Sequence, residues 1–467
     1  MMEALENSIR DNCKENIDEN QIKIEHDQLE DEVKRLTTQA YKLSLFNKDV
    51  VQDKMVLLNL AMDALNELFR LYENDKPLWV SSLDGGGETL NIKEYARLFT
   101  PLIGTKLEHF TTEATRASGT VADTSLALVN TLMDKRQWVE MFPCIVGKTY
   151  TTDIKTELQI ISDLVSVREV QYLRFCKKHA EGVWAIIDVS VDTIQEASQE
   201  SEIENCRRLP SGCILQDISN GYCQVTWIEH MEYNENLVHD WYHPLINTGL
   251  GFGAQRWMST LQRQYQFLKV MKSIIDPIAL FVAVDLSGQR GIRMLAQRMT
   301  HNFCAGVCAT SHYWEIIQLA NEENSKLMMR TNIIDLGEST GDDSGANRVI
   351  LQDTCMDATG SLLVYATIDS QEINTVMKVG DSSCVTLSSN GITIVPDCFQ
   401  DFSTTNNYNV ISGEMNNGFG GGSLVIISFQ MVGNIFPTTT LSMELVKEAN
   451  ALISHTIHKI KSALKCK

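Results

Sequence analysis

At 467 residues the chain is long enough for two or three domains, each with its own core. Sixty acidic residues outnumber forty basic ones, for a formal net charge of -20; this excludes a nucleic-acid surface, since polyanion affinity comes from Lys and Arg neutralising phosphates. No run of about eighteen apolar residues occurs, and the twelve cysteines form no Cys-x-x-Cys pair, so a soluble, non-secreted protein with buried reduced thiols is expected.

From Asp18 to Leu45 a heptad is legible. Ile22, Leu29, Leu36 and Leu43 fall at one core position, and His26, Val33 and Ala40 at the other. About three heptads make a marginal zipper, because short helices gain little without a partner. An ordinary exposed amphipathic helix is the competing reading. A second helix follows through Leu57, Leu60, Ala61, Ala64, Leu68 and Leu71 and stops before Asp75-Lys76-Pro77, after which Pro77-Leu78-Trp79-Val80 reads as a strand. Ser125 to Met133 is a further apolar helical run. Val183 to Val189 is apolar on both faces, as in a strand covered on each side.

Two strands and a helix then follow closely. Ile214-Leu215-Gln216-Asp217-Ile218 and Tyr222 to Ile228 flank Asn220-Gly221, a hairpin turn signal because both residues tolerate positive φ. After Pro244 the period changes: Leu250, Ala254, Trp257, Met258, Leu261, Tyr265 and Leu268 recur at spacings of three and four, one stripe of a helix. The arrangement predicts a sheet closed over by a helix.

The C-terminal part repeats this plan. Leu60-Ala61 precedes Trp79 as Leu295-Ala296 precedes Trp314, Trp184 to Asp188 is echoed by Tyr365 to Asp369, and Leu209 to Asp217 by Leu387 to Asp397. A final helix carries Leu441, Leu445, Ala449, Leu452, Thr456 and Ile460. Duplication of one helix-sheet-helix unit is inferred. The second copy is shorter, and Gly337 to Gly345 reads as a polar loop.

Together these segments resemble the class IV homeodomain-leucine zipper regulators of plants. The resemblance is carried by Pro77-Leu78-Trp79, Leu90-Asn91 with Glu94-Tyr95, Glu113-Ala114-Thr115-Arg116, Val167-Arg168-Glu169, Arg207 to Cys213, Val225 to Glu232, Gly253 to Trp257, Leu351-Gln352-Asp353 and Gly421 to Leu424. It implies an α+β chain: an N-terminal coiled-coil segment over residues 1–46, a START-type helix-grip domain enclosing a lipid or sterol cavity over 50–272, and a second, shortened helix-grip-like START-adjacent domain over 276–467. Such regulators also carry a homeodomain before the zipper. No such element fits here, where residues 1–35 hold eleven acidic and five basic residues, so DNA-binding residues are not expected.

A cavity of this kind should be apolar with a few polar groups that orient a head group. Trp184, Trp227 and Trp257 come from the predicted sheet and closing helix, with Glu113, Arg116, Arg168 and His230 as polar candidates. The plainer reading makes the tryptophans core and places Glu113 and Arg116, three apart on a helix, in a surface pair. His301, Cys304, Cys308 and His312 recur at helical spacing but would run roughly 16 Å along one helix, too far to share a zinc ion, so no metal is expected. There is no Gly-x-Ser-x-Gly elbow, and Gly418 to Ser423 precedes a strand rather than a helix N-terminus.

The expected function is therefore non-enzymatic: ligand-responsive transcriptional regulation in the nucleus, without direct DNA contact or a cofactor beyond a bound lipid or sterol. Dimerisation is expected through Ile22, Leu29, Val33, Leu36 and Leu43, with a second copy or a homeodomain-bearing relative. A cytosolic lipid-binding or transfer protein, and a degraded copy without function, remain alternatives.

Overall fold

The computed structural model describes residues 50–81, 87–149, 155–162, 164–191, 205–275, 286–309, 317–320, 328–335, 348–357, 359–396, 422–430 and 443–463. The heptad residues Ile22, Leu29, Val33, Leu36 and Leu43, together with Trp314 and the loop at 337–345, lie outside them.

The first unit begins with α1 (Val50–Glu73), whose stripe Leu57, Ala61, Ala64, Leu68 and Leu71 is buried. It continues through β1 (Trp79–Ser81), β2 (Glu88–Leu90), α2 (Ile92–Leu98), β3 (Phe110–Val121), α3 (Ser125–Met133) and α4 (Lys135–Met141). Side-chain caps start the short helices where the sequence offers them. Asn91 accepts from the Glu94 N–H, Thr124 from Ala127, and Asp134 from Arg136 and Gln137. Then come β4 (Val146–Thr149), β5 (Lys155–Leu158), β6 (Arg168–Ala180), β7 (Val183–Ser190), β8 (Cys206–Arg208), β9 (Ser211–Ile218) and β10 (Tyr222–Asn234). The expected hairpin forms: Asn220 and Gly221 both adopt φ near +70°, at 68° and 73°. Short α5 (His243–Asn247) leads into α6 (Ala254–Ile275).

The strands form one antiparallel sheet in the order β1-β2-β3-β10-β9-β7-β6-β5-β4, with β8 also paired to β10. Alternation gives the sheet two buried faces, each with its own core. One face carries Ile187, Val189, Ile214 and Ile228 and packs under α1 and α2. The other carries Cys213, Leu215, Val225 and Trp227 and packs under α6, with α3 and α4. The strand Val183 to Val189 is thus covered on both sides, as its apolar run requires.

The second unit contains α7 (Leu286–Ala309), β11 (Ile317–Ala320), β12 (Met328–Asp335), β13 (Arg348–Asp357), β14 (Gly360–Asp369), α8 (Ser370–Val379), β15 (Asn390–Pro396), β16 (Gly422–Ser428) and α9 (Met443–Ala463). Its sheet order is β11-β16-β15-β14-β13-β12. Step for step this repeats β3-β10-β9-β7-β6-β5, so the echoed segments Trp184 to Asp188 and Tyr365 to Asp369 occupy equivalent strands. Leu295, Met299 and Phe303 of α7 cover Leu351, Val364 and Ala366, while Ile457 of α9 packs on Val425 and Ile427. The α+β architecture read from the sequence is the one observed.

Candidate functional site

Register decides which candidates meet. Residues 113 to 116 are part of β3, not a helix, so their side chains alternate between the two faces of the sheet. Glu113 lies opposite Met231 on the face toward α6, whereas Arg116 lies opposite Ile228 on the face toward α1. The expected helical pair does not exist, because a strand cannot bring positions three apart together.

Arg116 instead closes the C-terminal end of α1. Its guanidinium donates to the carbonyl oxygens of Leu71, Tyr72 and Asn74 at 3.4, 3.2 and 3.0 Å. It pairs with Asp75 at 2.9 Å and Glu88 at 2.6 Å, and lies 4.9 Å from the Trp79 ring centroid. A cation there also complements the negative end of the helix dipole. His230 shares this face. It is buried, meets the Tyr95 ring edge-on at 5.0 Å, and burial pushes its pKa down to about 3, so it is a neutral core imidazole. Arg116 and His230 are therefore separated by the sheet from the α6 side.

Glu113 and Arg168 do meet on the α6 side. Arg168 Nη1 donates to Glu113 Oε2 at 3.0 Å, with both side chains almost wholly buried. The guanidinium lies 3.7 Å from the Phe252 ring centroid and 4.0 Å from that of Tyr233. Burial raises the Glu113 pKa, against the nearby Arg168 charge. Glu113 Oε1 and Arg168 Nη2 make no hydrogen bond of normal geometry.

Beside this pair runs a second set of buried charges that sequence reasoning did not single out. Arg174 grips Asp188 with two bonds of 2.7 Å. Arg208 then links Asp188 at 2.9 Å to Glu229 at 2.7 Å, and Trp227 Nε1 donates to the same Glu229 oxygen at 3.1 Å. Burial raises the Glu229 pKa, opposed by Arg208; burial works against the Arg208 charge, but the Glu229 and Asp188 carboxylates more than offset it. The available signal was a lone Asp188 inside an apolar strand; Arg208 and Glu229 stand beside other polar residues, Arg207 and His230, and gave none.

The expected hollow is closed by aromatic rings. Trp227 and Trp257 stack at 5.3 Å, Trp138 of α4 stacks on Trp257 at 5.1 Å, and Phe142 packs edge-on against both, at 5.6 and 4.8 Å. Trp138 and Phe142 were absent from the sequence-based set. Trp184 was included, but it is half-buried and stands at the margin of this core, next to the β6–β7 turn. The N-terminus of α6 is held against β3: the Ala254 N–H donates to Thr115 Oγ1 at 2.8 Å. A Cβ on Gly253 would fall 2.6 Å from that hydroxyl and 2.3 Å from the Gly249 carbonyl oxygen, so the small residues before α6 serve this close approach.

Open space lies beside the β9–β10 turn, in a cleft of about 300 Å³ lined by Tyr222, Tyr265 and Lys269 among others, and where the two units meet. A cavity of about 60 Å³ is lined by Cys144, Arg256, Arg263, Cys355 and Asp357 among others. An open cleft of about 900 Å³ runs between Glu140 and Pro143 of the first unit and Arg290, Met294 and Arg298 of α7.

Comparison with known proteins adds the following. Residues 59–266 match the START domain, and residues 339–466 match the family described as PDF2-like, C-terminal domain. Homeobox-leucine zipper protein ANTHOCYANINLESS 2 of Arabidopsis thaliana is 39% identical over 500 residues, covering 89% of this chain and 60% of that protein. Homeobox-leucine zipper protein HDG7 of the same plant is 32% identical over 489 residues, covering 88% of this chain and 68% of HDG7. The chain thus spans 60% of the length of the first of these relatives. Among solved structures, human StAR-related lipid transfer protein 5 aligns with a TM-score of 0.30 at 13% identity, over 46% of this chain and 99% of that one.

Proposed function

This chain belongs to the homeobox-leucine zipper family that carries a START domain and a PDF2-like C-terminal domain, and from that premise we propose a lipid- or sterol-responsive transcriptional regulator. The ligand has an apolar body that lies between the sheet and α6, and a polar head that meets Arg168 and Glu113.

The observation that carries this reading is the Arg168–Glu113 pair. A buried ion pair costs several kcal/mol of desolvation, and a core built for stability alone does better with apolar residues of the same volume. Here the Arg168 guanidinium sits between two aromatic rings, and Arg168 Nη2 and Glu113 Oε1 make no hydrogen bond of normal geometry, with the Phe252 N–H acting on the Glu113 carboxylate. A hydroxyl head group can accept from the guanidinium and donate to the carboxylate. Ligand entry requires the tryptophan stack to part, and Trp257 moves with α6. A filled site then stabilises the fold by ordinary linkage. Lipid extraction from the purified chain followed by mass spectrometry tests this. A lipid-free sample that also refuses fluorescent sterols and phospholipids overturns it.

The heptads through Ile22, Leu29, Val33, Leu36 and Leu43 support dimerisation with a second copy or a homeodomain-bearing relative. The acidic balance of residues 1–35 gives no support to DNA contact there. Pairing with such a relative would alter that relative's DNA binding and places the action of this chain in the nucleus. Co-purification with the relative and a gel-shift assay check it; unchanged DNA binding refutes it. Neither matched domain description names an enzyme, and no helix among the described residues is long and apolar enough to cross a membrane.

The closed stack favours one second reading, in which the START unit is a ligand-free scaffold between the zipper and the C-terminal unit. The same extraction experiment separates the two.

A further inference from the structure

The junction between the two units is built around sulfur. Cys144, in the turn that follows α4, and Ile161 leave the first unit's own core and pack among Ile292, Leu295, Met299 and Phe303 of α7, where Cys304 is fully buried. Cys144 and Cys304 belong to the same buried cluster, with the Cys304 thiol near enough to act on the Cys144 sulfur. From α6, Arg256 donates to the Cys144 carbonyl oxygen, and Arg263 donates to Cys355 Sγ at 2.9 Å while pairing with Asp357 at 3.4 Å. One guanidinium therefore meets the Cys355 thiol and the other the Cys144 backbone, placing two positive charges in the cluster.

That field separates Cys144 from the other buried cysteines. The neighbouring Cys304 thiol lowers its pKa to about 7 against the opposing effect of burial, with Arg263 and Arg256 assisting. Burial pushes Cys206 and Cys223 up to about 12 and raises Cys213 as well. A thiolate, not a thiol, is the nucleophile. The cavity of about 60 Å³ reaches Cys144, Cys355, Arg256 and Arg263. A single water needs roughly 10–15 Å³ by the same measure, so a small peroxide fits.

We propose that Cys144 and Cys304 form a peroxide-oxidised pair whose disulfide ties the START unit covalently to the C-terminal unit. The Cys144 thiolate attacks one oxygen of hydrogen peroxide, breaking the O–O bond to give a sulfenic acid and hydroxide, which takes up a proton as water. The Cys304 sulfur then attacks the Cys144 sulfur, its proton leaving with the sulfenic oxygen as a second water. Two thiols supply the two electrons, and a dithiol reductant reverses the step. The covalent tie fixes α7 against the turn after α4 and so resists any parting of the two units.

The test uses the full chain, reduced, exposed to hydrogen peroxide, alkylated under denaturing conditions and mapped by mass spectrometry. The expected product is a Cys144–Cys304 linked peptide lighter by two hydrogens than its two parts, removed by dithiothreitol. Cys304→Ser is expected to leave Cys144 as a sulfenic acid trapped by dimedone, and Cys144→Ser to leave Cys304 fully alkylated. Because either variant could disturb the packed junction, the wild-type map decides by itself. Full alkylation of both residues while exposed Cys384 is oxidised, or a link from Cys144 to Cys355 instead, overturns the proposal.

Discussion

Trp227 of β10 and Trp257 of α6 lie face to face, their ring centroids 5.3 Å apart and their planes 10° from parallel. This contact is what closes the helix onto the sheet, because each ring fills the space that the other would otherwise leave. Trp257→Ala is expected to cost about 3–5 kcal/mol in urea unfolding, as for other large aromatic truncations in cores. The variant is also expected to take up a fluorescent sterol faster than the parent. A stability loss without faster uptake would show that the stack does not gate ligand entry.

The Arg168–Glu113 pair separates a structural role from a binding one. Removing a single partner, as in Arg168→Met or Glu113→Leu, is expected to destabilise by about 3–5 kcal/mol, since the other charge is left buried and alone. The double variant Glu113→Leu with Arg168→Met should recover most of that loss while losing lipid retention. Retained lipid in a stable double variant would place the head group elsewhere.

Glu67 and His230 set the pH response of the face under α1. Glu67 accepts from Tyr95 Oη at 2.6 Å, and burial pushes its pKa from 4.5 up to about 7. The native state thus holds a proton that the unfolded chain releases, so this contribution is complete below pH 4.5 and is lost as pH rises through 7. His230 acts in the opposite direction, being neutral in the fold while the unfolded chain takes up a proton below 6.5; its contribution is lost as pH falls toward 3. Glu67→Gln is expected to flatten the decline between about pH 5 and 8 and to gain about 2–3 kcal/mol at the alkaline end. Urea midpoints measured across that range check it.

The heptad segment gives a prediction independent of the START unit. Val33→Asp with Leu36→Asp places charges at both core positions and is expected to convert dimer to monomer in analytical ultracentrifugation. The unfolding transition of residues 59–266 should be unchanged. A dimer that survives the double substitution would move the interface out of the heptads.

Local signals in the chain settled much of this protein. Asn220-Gly221 placed the hairpin, Pro77 the end of α1, and the three-four stripe through Trp257, Leu261 and Tyr265 the long helix, because turn chemistry and periodicity act over a few residues; Leu250, read as part of that stripe, falls in the turn before α6. The echo between Trp184 to Asp188 and Tyr365 to Asp369 announced the repeated sheet order, and the spread of matching motifs announced the family. Tertiary structure alone decided which polar groups share a site. Once Glu113 and Arg116 fall on a strand, alternation sends them to opposite faces, and only the closure of the whole sheet brings Glu113 of β3 to Arg168 of β6, 55 positions away and on a strand it does not pair with. Arg174, Asp188, Arg208 and Glu229 form one charge chain from four strands, and Trp138 reaches Trp257 from a different helix. Such contacts depend on register and on the packing of distant segments, neither of which any short window of residues encodes.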